Sequence, residues 1–300
     1  MLSSSRRPAV WLLALLGAAV LSAAAPVAAA AQDASAFHEI ETKYIFGNFT
    51  VGSSTGIQGE KAFEPETEFN FGKRSGRYFA GQTALEFEYT PTQYFQIEAG
   101  PSVSYYNIRG VPGLDDRYMG GINGVEADFR SLLIDRGPTP FAVTLSIEPE
   151  WHSLDETGGD PVSNFSVEVR IEADAELIKN RLYAGFNVLY EPETTLLPPA
   201  QSFSESTFGV SAALALQIIP GVVIGADAWY LNHYDGAGFN SFTGNAVYVG
   251  PTLFWQIAPK VLVSAAWETQ VAGQEVGLTS ALDLSDFSRQ RARLLFEFEF

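Results

Sequence analysis

The stretch FSVEVRIEADAEL, residues 165–177, constrains the fold more than any other part of the chain. Phe165, Val167, Val169, Ile171, Ala173 and Ala175 alternate with Glu168, Arg170, Glu172, Asp174 and Glu176. Successive side chains of an extended strand point to opposite faces, so one face of this segment is apolar and the other charged. The pattern recurs where Leu85, Phe87 and Tyr89 flank Glu86 and Glu88, and where Phe141, Val143, Leu145 and Ile147 alternate with Thr144, Ser146, Glu148 and Glu150. Beyond residue 31 no segment reaches the ~18 consecutive apolar residues of a membrane helix, and no helical period of apolar positions stands out. The chain reads as all-β.

Strands nearer the C-terminus keep the apolar face but make the opposite one small. Gly185, Gly209, Ser211, Ala213, Gly225, Gly250, Ser264 and Ala266 occupy it, and they are expected to leave open space. Short turns at 90–92, 135–140, 178–181, 220–221 and 258–260 alternate with longer polar loops at 109–121, 152–164, 192–204, 235–242 and 273–288. This sorting is the one found in transmembrane barrels, with short turns on one side of the bilayer and long loops on the other. A soluble sandwich has no reason to sort its loops.

The ends of the chain carry two further signals. At the start, Arg6 and Arg7 precede the apolar run 9–20, and Ala29 and Ala31 stand in A-x-A positions, so residues 1–31 are read as a cleaved secretory signal peptide. At the end, RARLLFEFEF places Phe296, Phe298 and Phe300 at alternate positions and stops on the last of them. With these residues the chain resembles Gram-negative outer-membrane β-barrel proteins, whose C-terminal aromatic signal is recognised by the barrel assembly machinery. The segment EPETEFNFGKRSGRYFAGQTALEFEYTPTQYFQIE further resembles an uncharacterised subgroup of such barrels with a Gly-Lys-x-x-Gly-Arg-Tyr hairpin.

The resemblance implies an antiparallel, up-and-down transmembrane barrel in the cell outer membrane. Its partners would be outer-membrane lipid and lipopolysaccharide, with the assembly machinery and periplasmic chaperones acting during biogenesis. Lipid offers the backbone no hydrogen bonds, so a β protein crosses it only as a closed barrel with its apolar faces outward. Counting strands back from Phe300 gives twelve over residues 63–300, the first at 63–71 with Glu64, Glu66 and Glu68 inward. Residues 32–62 become an extra N-terminal segment, at the rim or inside. If 37–46 is itself a strand, fourteen is the alternative, because bacterial single-chain barrels have even numbers. Tyr89, Tyr94, Tyr105, Trp151, Tyr190, Tyr230, Trp255, Trp267 and Phe300 are expected in interfacial aromatic girdles.

The inward positions then carry Glu86, Glu88, Glu98, Glu126, Asp128, Arg130, Glu148, Glu150, Glu168, Arg170, Glu172, Asp174, Asp227, Glu268, Arg291, Arg293 and Glu297 as lumen residues. The whole chain carries −17, and losing the two leader arginines takes the mature protein to −19, which argues against nucleic acid as a partner. With no cysteine there is neither a disulfide nor a thiolate metal site.

Catalysis is not expected. Lipid-hydrolysing barrels present a His-x-Ser pair on one strand face, whereas Ser153 follows His152 directly and points the other way. His233 and Asp235 share a face but lack the paired aspartates of barrel proteases. No phosphate loop and no zinc-like histidine cluster occurs, so no cofactor and no metal is expected. The acidic loops around Asp115, Asp116, Asp155, Glu156 and Asp160 read as solvated rather than calcium-binding. The expected function is a narrow, cation-preferring pore for small solutes, since rings of carboxylates select cations. The alternative is a structural or surface-interaction barrel with a filled lumen.

Overall fold

The computed structural model describes residues 37–137, 139–197 and 201–300. The proposed signal peptide lies outside them. Twelve antiparallel strands close into one barrel, each paired with its neighbours in sequence and the last with the first. They are β1 (Lys61–Phe71), β2 (Phe79–Thr92), β3 (Phe95–Ile108), β4 (Arg117–Ile134), β5 (Phe141–Leu154), β6 (Pro161–Ile178), β7 (Leu182–Leu197), β8 (Gln201–Ile219), β9 (Val222–Asp235), β10 (Ser241–Ala258), β11 (Val261–Glu275) and β12 (Gln290–Glu299).

Closure removes every free sheet edge, which is the condition for a sheet to sit in lipid. The seam pairs Glu68 with Arg293 and Asn70 with Arg291. Charges follow that register only in part. Arg293 bridges the seam to Glu68 at 2.8 Å and Glu66 at 3.2 Å, whereas Arg291 turns back to Glu268 on β11.

The barrel is inside out relative to a soluble core. Phe87, Phe129, Ile147, Phe165, Ile171, Phe186 and Leu253 are exposed on the outer surface, while Glu64, Glu172 and Glu268 are almost fully buried inside. Seven of the nine girdle candidates are well exposed, among them Trp151, Trp255, Trp267 and Phe300, and Tyr105 and Tyr190 are half-buried. Phe298 and Phe300 are exposed and Phe296 is half-buried.

Several expectations change; the loops expected at 109–121 and 152–164 are shortened by β4, β5 and β6. The polar stretch 192–204 is mostly strand, because β7 runs on to Leu197 and β8 begins at Gln201, with Glu193 facing Glu205 and Thr194 facing Ser204. A wall that rises beyond the bilayer needs no apolar face there, so its polar strand ends look like loop in the sequence. Gly250 does not open the lumen either. A Cβ on it would lie 1.9 Å from the Trp267 carbonyl oxygen, so the glycine lets two strands approach.

Residues 37–60 are not a wall strand. They enter the lumen beside the β6–β7 turn, where Asn180 donates to the Phe37 carbonyl and Arg181 stacks on the Phe37 ring. They turn back at Gly47 and Asn48, both with positive φ, and leave beside Thr90 and Gln93 to start β1.

A closed barrel of this kind predicts resistance to dodecyl sulfate at room temperature. The unheated protein should migrate apart from the boiled one on the same gel, whereas one mobility in both lanes would contradict the closed wall.

Candidate functional site

The segment 37–60 has little regular structure, so its backbone groups need partners from elsewhere. The wall provides them through side chains. Arg130 donates to the carbonyls of Gly52 and Ser54 at 2.9 and 3.2 Å. Asn187 brackets Val51, accepting from its N–H and donating to its carbonyl, each at 2.8 Å. Asp174 accepts from the Ser53 N–H and hydroxyl at 2.7 Å. Ser264 donates to the Tyr44 carbonyl, Thr144 to that of Ser53 and Arg293 to that of Asn48. Irregular backbone is tolerated at membrane depth where protein surrounds it in this way.

Apolar packing seats the same segment. Ile40, Tyr44, Ile45 and Phe46 bury against Tyr183, Ala213, Ala215, Val223, Phe254, Leu262 and Leu295. Phe49 buries against Leu189, Trp229, Leu231, Ala246, Tyr248 and Ala266. The small inward residues therefore do not leave an open lumen at this level. A Cβ at Gly185 would meet the Phe46 ring at 2.9 Å, and Ser211 accepts a hydrogen bond from Thr50. Gly47 approaches the wall so closely that a Cβ would lie 2.7 Å from Thr252 Cγ2.

Charge makes the third contact. Lys43 is buried and faces three carboxylates, at 2.9 Å from Glu88 and 3.6 Å from Glu64, with Glu98 also bonded. Burial alone would weaken the ammonium, but Glu64, Glu88 and Glu98 outweigh it and hold its pKa well above the ordinary lysine range. Tyr44 donates to Glu64 at 2.5 Å, and Asn48 to Glu66. Of the two places open to this segment, rim or inside, it takes the inside, and the sequence carries a trace of that choice. Val223, Phe254, Leu262 and Leu295 are apolar on a face that water would otherwise wet.

Above the plug lies a cavity of about 300 Å³ with Asn48, Phe49 and Val51 among its walls. Of the expected lumen residues, Glu86, Glu98, Glu126, Asp128, Arg130, Glu148, Glu150, Glu168, Arg170, Glu172, Arg291 and Arg293 line it. Five do not. Glu88 is held by Lys43, Asp174 by Thr42, Ser53 and Arg136, and Glu268 by Arg291. Asp227 is buried beside Trp229 and Tyr248, and Glu297 clusters with Glu60 and Glu299 near the termini. Glu191 lines the chamber from a stretch next to the supposed loop, and Glu156 joins it from the loop after β5. In all, twelve carboxylates and five basic side chains face this space.

Two loops pack inward at the opposite end. Val111 buries with Tyr78, Tyr106, Ile108 and Leu154, with Leu114 against them. Phe287 packs on the cluster around Trp229 and Tyr248, and Lys73 donates to carbonyls of Ser285 and Phe287.

A twelve-stranded closed wall around an internal N-terminal segment is matched over residues 38–300 by one family, DUF6662, a family of unknown function. The chain belongs to DUF6662. The match takes in the internal segment as well as the wall. No curated protein matches the chain. Among solved structures, the COG4313 outer membrane channel from Pseudomonas putida F1 is similar, with a TM-score of 0.55 at 10% identity over 83% of this chain and 98% of that one. The beta domain of the Bordetella autotransporter BrkA gives a TM-score of 0.50 at 11% identity, over 81% of this chain and 100% of that one. At such identities the likeness is one of fold.

Seating of the DUF6662 plug should depend on both charge and shape. Lys43→Met leaves three buried carboxylates without their cation, at about 3–5 kcal/mol for a broken buried pair. Gly47→Ala adds about 1–2 kcal/mol of left-handed backbone strain to its clash. In either variant the amides of Val51 and Ser53 should exchange with deuterium much faster than in wild type while the unheated gel mobility persists. Unchanged protection would mean that the plug is held by other forces.

Proposed function

We propose that this DUF6662 protein is an outer-membrane channel for small cationic solutes, with residues 37–60 as an internal closure on the side of the short turns. One observation carries the reading: the space left open in the lumen is faced by twelve carboxylates and five basic groups. Electrostatics in a narrow lumen of that balance favours cations over anions. The fold shared with an outer membrane channel supports it, and so does the exposed apolar belt.

Export by a signal peptide cleaved after Ala31 and placement in a Gram-negative outer membrane belong to the same reading. Phe296, Phe298 and Phe300 act in it as the assembly signal. One ring at the rim contributes at most ~1.5–3 kcal/mol to the folded barrel, so removing Phe300 should lower membrane insertion far more than the stability of refolded protein. Equal outer-membrane levels with and without Phe300 would remove that role.

The filled-lumen reading has its own support in the depth to which Phe46 and Phe49 are buried. Planar-bilayer recording separates the two. The full chain should conduct rarely, and a barrel lacking residues 37–56 should conduct steadily. Under a potassium chloride gradient its reversal potential should report cation preference, weakened by Glu148→Gln with Glu168→Gln and by rising salt. Anion preference would refute the acidic chamber as a filter, and silence from both proteins would make this a structural barrel.

A further inference from the structure

Most buried carboxylates in the lumen meet a cation supplied by the chain. Lys43 serves Glu64, Glu88 and Glu98, Arg130 serves Glu172, Arg136 serves Asp174, Arg170 serves Glu168, Arg291 serves Glu268, and Arg293 serves Glu66 and Glu68. Glu86, Glu148 and Glu191 in the chamber have no lysine or arginine partner among the described residues, and neither do Glu126 and Glu150, which lie opposite each other on β4 and β5 and alone of these have a histidine beside them. His152 lies two residues along β5 from Glu150, on the same inward face. The ligand atoms of Glu126, Glu150 and His152 come within 4.8 Å of one another.

The local geometry is that of a site with something missing. Glu126 is 8% exposed and its Oε1 has no hydrogen-bond partner. His152 is completely buried, with Nε2 3.6 Å from Glu150 and Nδ1 3.2 Å from Oε1 of Glu156 in the following loop. Glu156 behind Nδ1 orients the imidazole as the partners of metal-binding histidines do, and Nε2 would exchange its long 3.5 Å contact with Gln82 Nε2 for the ion. One imidazole and two carboxylates suit a zinc-like divalent ion, whereas calcium takes six to eight oxygens.

We propose that Glu126, Glu150 and His152 bind a divalent transition-metal ion in the acidic chamber, with Glu156 orienting the imidazole. The proposal rests on the acidic-chamber reading only for access of the ion, and it does not require the barrel to conduct. A second grouping, Glu193, Glu205 and His233, offers the same residue types but is occupied by the chain itself. Asn164 donates to Glu193 at 2.9 Å, and His233 Nδ1 bonds to Thr243 at 2.9 Å. It serves as an internal control.

The test is calorimetric titration of zinc chloride into the tag-free full chain, refolded in detergent. Wild type should show one saturable site per chain, insensitive to equal calcium. Glu126→Gln, which preserves size, and His152→Ala should abolish it, while Glu156→Gln should weaken it about 10–100-fold. His233→Ala should bind as wild type does. Unheated gel mobility identifies any variant that fails to fold, and the Glu126→Gln result then decides. No saturable zinc binding by wild type, binding that survives Glu126→Gln, or binding lost in His233→Ala would overturn the site. Conductance of the same samples is recorded separately, so failure of the channel reading leaves the zinc result standing.

Discussion

Backbone hydrogen bonding governs this molecule at two places. In the wall, lipid offers no partner to an N–H or carbonyl, so twelve strands must close on themselves. Inside, the irregular segment 37–60 faces the same demand without a ladder to answer it. The wall answers with side chains: Arg130, Asn187, Asp174, Ser264 and Thr144 each bind plug backbone. Polar residues inside a barrel are usually thought of as wetting a channel. Here many of them replace water for a second piece of chain.

Packing divides the lumen along its circumference. On β7 to β12 small residues and buried apolar ones make up part of the inward face, and Ile45, Phe46 and Phe49 pack against them. Gly185 is small because the Phe46 ring stands in front of it, and Ala213 joins the cluster that Phe46 and Ile45 fill. On β2 to β6 the inward face is carboxylate-rich and lines much of the chamber. The plug thus packs on one wall and is tethered to the other by Lys43 and by hydrogen bonds to Arg130, Thr144 and Asp174.

Charge compensation is correspondingly uneven. Where the plug reaches, its lysine and the wall arginines answer the acids. Where it stops, at Asn48 and Phe49, acids outnumber bases. Buried like charges without counterions are costly, so protons or external cations must make up the difference. The proposed cation preference and the proposed metal site are two distinct consequences of that one imbalance.

The sequence by itself determined the wall. Alternation such as Phe165–Val167–Val169 against Glu168–Arg170 is a local property, because the strand period is two and lipid demands one face. Twelve strands and the inward sense of Glu86, Glu126 or Arg291 follow from it. The tops of β7 and β8 escaped notice because polar strand beyond the bilayer has no apolar face to mark it. The tertiary structure alone decided what fills the barrel. A residue's inward direction is legible from its parity, but its partner across the lumen depends on closure and register. Lys43 meets Glu98 across 55 residues of sequence, and His152 meets Glu126 only because β4 and β5 align there. Leu295 and Phe254 hinted at an apolar occupant, and only the folded chain showed it to be Phe46 and its neighbours.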